Sequence, residues 1–185
     1  MHRYRWLLLS LCLVSLLACN TVMHLVHPVD EKKINTYLYD ASYYLQHEQY
    51  DLAIEQYTQA LALDPTRTDI YSSRGWANLL AEHWEAAATD YGQVIATEPQ
   101  SASALNNRCW ANFKLGEYDK ALPDCEQSIQ LEPDNVHTLD SRARVYAALG
   151  RKAEAIQDFK RIVELGYDSE LAAESQVEID KLEKP

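Results

Sequence analysis

The chain has 185 residues and a formal net charge of −11. Its length suits one domain, and 47% hydrophobic with 10% aromatic residues is enough for a packed core, which excludes a chain disordered throughout. The acidic balance argues against a nucleic-acid surface, five Gly and six Pro argue against a loop-rich all-β domain, and four Cys are too few for a disulfide scaffold.

Residues 1–18 read as a targeting segment rather than as fold. His2, Arg3 and Arg5 make a basic start, and Trp6 to Ala18 form an uncharged, Leu-rich stretch. Its 13 residues are too short to span a bilayer, which needs about 20. The stretch ends in Leu16-Leu17-Ala18-Cys19, which resembles the bacterial lipobox. The resemblance implies cleavage before Cys19 and a diacylglycerol on its thiol. Three acyl chains at about 0.8 kcal/mol per buried methylene would anchor the chain stably. Asn20 differs from the Asp that resembles an inner-membrane retention signal, so the outer membrane's periplasmic face is the expected location. Loss of Arg3 and Arg5 takes the net charge from −11 to −13.

Residues 19–33 are expected to be the lipidated Cys and its tether. His24 and His27 stand there at i, i+3, but Pro28 ends any helix and no further ligands are near in sequence, so no metal site is expected. Beyond the tether the chain repeats with a period of 34. Pro65, Pro99 and Pro133 keep that step, as do Ala53, Ala87, Ala121 and Ala155. So do the column Ala41, Gly75, Cys109, Ala143 and the column Tyr57, Tyr91, Cys125, Phe159. Within a unit the apolar spacing is helical: Tyr71, Gly75 and Asn78, then Ala87, Tyr91, Val94 and Ile95. A short turn near Glu82-His83 joins each pair, and the prolines stop the second helix.

These columns resemble the tetratricopeptide repeat. The resemblance implies an all-α solenoid of four helix-turn-helix units, at 34–67, 68–101, 102–135 and 136–169. Residues 170–185 read as a capping helix, with Leu171, Ser175, Ile179 and Leu182 inward and Glu170, Glu174, Glu178 and Lys181 outward. The departures are Cys109 and Cys125, Lys152 in place of an aromatic, and no closing Pro in unit four.

Two further patterns keep the step of 34. Arg74, Arg108 and Arg142 recur with Asp90, Asp124 and Asp158, whereas unit one has Asp40 and Gln56. Groups present or absent together read as pairs between the two helices of a unit; an arginine ladder for anions is the alternative. Cys109 and Cys125 lie equally far from the turn of unit three. In an antiparallel pair they face each other, either bridged or as two buried thiols.

Enzyme motifs are absent, with no HExxH, GxSxG or P-loop, and neither a catalytic site nor a cofactor is expected. The resemblance implies a concave groove lined by first helices. Its candidate residues are Asn35, Ser72, Trp76, Asn106, Asn107, Trp110, Phe113, His137 and Arg144. Trp76 and Trp110 read either as peptide anchors or as lateral packing between first helices. Relatives that clamp a C-terminal carboxylate use Lys, Asn and Arg; the matching places here hold Ser72, Trp76, Asn107, His137 and Ser141, and only the Asn fits. The expected function is a lipid-anchored periplasmic adaptor for a protein or peptide partner, with no nucleic acid and no small-molecule substrate. The alternative is an immunity or inhibitor lipoprotein whose acidic surface suits a basic toxin or hydrolase.

Overall fold

The computed structural model describes residues 29–184 except Tyr167. The targeting segment, Cys19, Asn20, His24 and His27 lie outside the described residues. Among the described residues the regular elements are nine α-helices. They are α1 (Glu31–Gln46), α2 (Tyr50–Leu63), α3 (Thr68–Leu80), α4 (Trp84–Thr97), α5 (Ala102–Lys114), α6 (Tyr118–Leu131), α7 (Val136–Ala148), α8 (Lys152–Leu165) and α9 (Ser169–Leu182). None of them is long and apolar enough to cross a membrane.

Helix boundaries follow local chemistry. Asp30 caps α1, its carboxylate accepting from the Lys33 amide, so Glu31, Lys32 and Lys33 are helical rather than part of the tether. The period of 34 marks equivalent positions and is blind to an extra turn supplied by a good cap. Asn135 and Asp168 cap α7 and α9 in the same way. Pro65, Pro99 and Pro133 follow the ends of α2, α4 and α6. Unit four lacks that proline; Gly166, at φ +60°, ends α8 in the left-handed region that glycine adopts most easily.

The helices pack as α1/α2, α3/α4, α5/α6 and α7/α8, each second helix also meeting the next first helix, and α9 lies against α8. Where the two helices of a unit cross, a small residue faces a large one. Ala41, Gly75 and Ala143 stand in the small column, and Tyr57, Tyr91 and Phe159, all buried, in the large one. Gly75 has no room to spare: a Cβ there would lie 3.0 Å from the Tyr91 ring. In unit three the same two places are joined by the Cys109–Cys125 disulfide, with Cα atoms 5.5 Å apart.

Each core also borrows from the next unit. Ala77 of α3 packs into the core of unit one, Ala111 of α5 into that of unit two, and Val145 of α7 into that of unit three. At the C-terminal end, Leu171, Ile179 and Leu182 of α9 close the last core, with Ser175 buried beside them.

The recurrent Arg and Asp meet inside units two, three and four. Arg74 donates to both carboxylate oxygens of Asp90 at 3.0 and 2.7 Å, Arg108 to Asp124 at 2.7 and 2.7 Å, and Arg142 to Asp158 at 2.8 and 2.7 Å. The three aspartates are buried, so each guanidinium neutralises a charge that would otherwise be stranded away from water. Asp90 has a further donor in Asn78, at 3.0 Å. The fork of each arginine is filled by its own aspartate, which leaves little of it for an outside anion.

Candidate functional site

A concave depression of about 360 Å³ lies across the first three units. Its lining is Leu45, Tyr57, Ser72, Ser73, Trp76, Tyr91, Ser103 and Asn107. The position follows from helix geometry. Ser72, Ser73 and Trp76 share one flank of α3, at i, i+1 and i+4, beside the face that carries Gly75 into the core. Ser103 and Asn107 occupy the equivalent flank of α5.

The floor comes from the second helices. Tyr57 of α2 and Tyr91 of α4 are core residues whose rings lie in the unit cores and whose hydroxyl ends reach the concave side. Burial pushes the Tyr57 phenol up, with a hydrogen bond to Ser73 pulling the other way. Burial likewise raises the Tyr91 phenol, opposed by a hydrogen bond to Asn107. Each hydroxyl thus faces the first helix of the following unit across the depression. Both phenols stay neutral at physiological pH. No lining residue carries a charge. The depression is an uncharged floor of hydroxyl and amide groups beside one aromatic wall, Trp76, which is 50% exposed. Such a surface suits an extended backbone and an apolar or aromatic side chain, and offers a carboxylate no cation.

The structure brings together three of the groove candidates: Ser72, Trp76 and Asn107. The others stand elsewhere. Trp110 shares a column with Trp76 but is half-buried, its ring 5.3 Å from Phe113, and Phe113 lies 5.8 Å from Tyr118. Lys114 caps this cluster, 4.9 Å from the Trp84 ring and 5.7 Å from that of Trp110. Trp110 and Phe113 therefore pack against each other and against Tyr118 within unit three, because Phe113 one turn on gives Trp110 a ring to lean against. In α3 the matching residue, Leu79, is itself buried and leaves Trp76 free. Arg144 needs correction as a groove cation: Asp140, one turn earlier, holds its Nε at 3.0 and 2.8 Å, and Glu174 of α9 lies 3.9 Å away.

Asn35 and His137 are exposed near the starts of α1 and α7 and do not line the depression. Asn106 is half-buried beside it, its Oδ1 enclosed and without a hydrogen-bond partner. Tyr57, Tyr91 and Ser73 line the depression although the repeat pattern alone does not place them there. The aromatic column reads as pure core, yet Tyr in it differs from Phe159 by a hydroxyl that needs an outlet. Ser73 stands one period before Asn107, a shared column that marks both as partners of that hydroxyl.

Family models for the tetratricopeptide repeat (TPR) match residues 42–80, 102–135 and 136–165, together more than half of the chain. The chain belongs to the tetratricopeptide repeat family. No curated protein matches it significantly by sequence. Among solved structures it is similar to MamA, with 25% identity and a TM-score of 0.66, covering 78% of this chain and 82% of that one. It is also similar to the first TPR of Spaghetti (RPAP3), bound to the HSP90 peptide SRMEEVD, at 25% identity and TM-score 0.61 over 66% and 97% of the two chains. A TPR protein from Parabacteroides merdae shares the fold at 20% identity and TM-score 0.70, over 82% of this chain and 60% of that one. TPR domains are protein-interaction modules, and the concave depression is where this one offers an uncommitted aromatic.

Proposed function

We propose that this chain is a lipid-anchored periplasmic adaptor that holds an extended segment of a partner protein in the depression beside Trp76. The observation that carries the reading is Trp76: a large, rigid ring, half exposed, standing over an uncharged floor of Ser72, Ser73, Ser103 and Asn107. Aromatics of this kind dominate the energetics of protein contacts. A similar TPR domain is bound to a peptide, SRMEEVD, which is acidic. Here the lining residues include neither Lys nor Arg, which favours an uncharged or basic segment over an acidic tail. The lipid anchor rests on Leu16-Leu17-Ala18-Cys19 after a basic, Leu-rich start, and the outer-membrane location on Asn20.

The test is affinity capture from envelope membranes with the intact protein and with Trp76→Ala, followed by mass spectrometry. A partner retained by the parent and lost from the variant supports the reading. Identical captures from both would refute it. Cys19→Ser tests the anchor separately: the variant should leave the membrane fraction or remain uncleaved, and normal processing with unchanged membrane attachment would refute lipidation.

A further inference from the structure

The outward face of α1 occupies a special place in the repeat. Positions 43, 77, 111 and 145 form one column, and Ala77, Ala111 and Val145 are fully buried in the core of the unit before them. Among the described residues no unit precedes α1, and the residue in this column is Tyr43, half exposed. One turn earlier, Tyr39 is 73% exposed, where later units have Ser73, Asn107 and Ser141. Among the described residues, the face that elsewhere receives a helix thus ends the solenoid with two tyrosines. At the other end, the outward side of α9 carries Glu170, Glu174 and Asp180.

We propose that this face of α1 is a two-fold contact between two copies of the chain, α1 lying antiparallel against α1 of the second copy. Three observations point to a second copy. The face is built to seat a helix, as its column shows. Between its ends the face carries Thr36, Tyr39, Tyr43 and Gln46, with the His47 ring 4.1 Å from that of Tyr43 and half-buried Asp40 the single acid at its margin, so the repulsion between two chains of net charge −11 is small there. Its ends are complementary to themselves. Lys32 is exposed at the N-terminal end and Glu48 just past the C-terminal end, while the neighbouring Glu31 is drawn aside to Arg67 at 3.5 Å. An antiparallel pairing sets Lys32 of each copy toward Glu48 of the other, whereas a parallel pairing would set lysine against lysine. Two-fold contacts repeat every such interaction, and tyrosine adds contact area at little entropic cost. The contact needs no lipid anchor and no occupant of the Trp76 depression.

The experiment uses the full chain in its membrane, with Tyr43→p-benzoylphenylalanine as a photo-crosslinker. Irradiation should give a covalent homodimer whose crosslinked peptide is α1 of the second copy. Lys32→Glu should reduce its yield by about tenfold, and adding Glu48→Lys should restore it. Tyr39→Asp, at an exposed position that leaves the fold intact, should make the detergent-solubilised chain sediment as a monomer where the parent sediments as a dimer. Crosslinks only within one chain, to lipid or to another protein would overturn the proposal. So would a monomeric parent, or a dimer indifferent to both Lys32→Glu and Tyr39→Asp.

Discussion

Units two and three solve the same packing problem in opposite ways. In unit two the helices cross on Gly75 against Tyr91, an absent side chain against a large one. In unit three they cross on a covalent bond between Cys109 and Cys125. The choice has a functional consequence. Tyr91 spans the crossing and delivers a hydroxyl to the concave side, where it meets Asn107. A disulfide has no group to deliver, and Phe159 in unit four has no hydroxyl. The polar floor therefore runs from Tyr57 to Tyr91 and stops, which is why the depression sits over the first three units. A residue that closes the core also sets where the binding surface ends.

The sharpest way to probe the difference is through the clasps. Arg108→Ala would leave Asp124 buried without its cation and should cost about 3–5 kcal/mol in urea unfolding. Arg74→Ala should cost about 1 kcal/mol less, because Asp90 keeps the Asn78 amide as a donor. Equal losses would show that Asn78 contributes nothing. Next comes the bridge. Replacing Cys109 and Cys125 together by Ala should lower stability by up to about 3 kcal/mol for a loop of about 15 residues. Dithiothreitol should lower the melting temperature of the parent and leave that of the variant unchanged; an insensitive parent would contradict the bridge.

Much of this was legible in the sequence. The period of 34 fixed the helix pairs because every unit must present the same small, large and proline positions to its neighbours. The co-occurrence of Arg74 with Asp90, and their joint replacement in unit one, is the trace that a buried charge and its partner leave. The equal distance of Cys109 and Cys125 from their turn is another. What the columns do not carry is context one turn away. Trp76 and Trp110 occupy one column, yet Phe113 turns Trp110 into packing while buried Leu79 leaves Trp76 open. Arg144 reads as a groove cation, but Asp140, on the same helix, accepts from its Nε with both carboxylate oxygens and balances its charge. The start of α1 was hidden for a related reason: its cap, Asp30, lies outside the repeat and no column predicts it.

Two smaller effects sharpen the same contrast. Gly75→Ala should cost about 1–3 kcal/mol, since the added methyl meets the Tyr91 ring at 3.0 Å. The turn of unit two holds Glu82 at φ +60°, where unit three has Gly116 at φ +76°. Glu82→Gly should therefore stabilise the protein by about 1 kcal/mol, and a loss of stability would show that Glu82 is held by contacts that outweigh its backbone strain.

The central claim is that the depression beside Trp76 is a binding surface rather than a gap in the packing. It is tested most directly by measuring two quantities on one variant, Trp76→Ala: affinity for the captured partner by titration calorimetry, and stability by urea unfolding. The account predicts a loss of about 2 kcal/mol or more in affinity with stability within about 0.5 kcal/mol of the parent. Unchanged affinity with a large fall in stability would contradict it and assign Trp76 to the core.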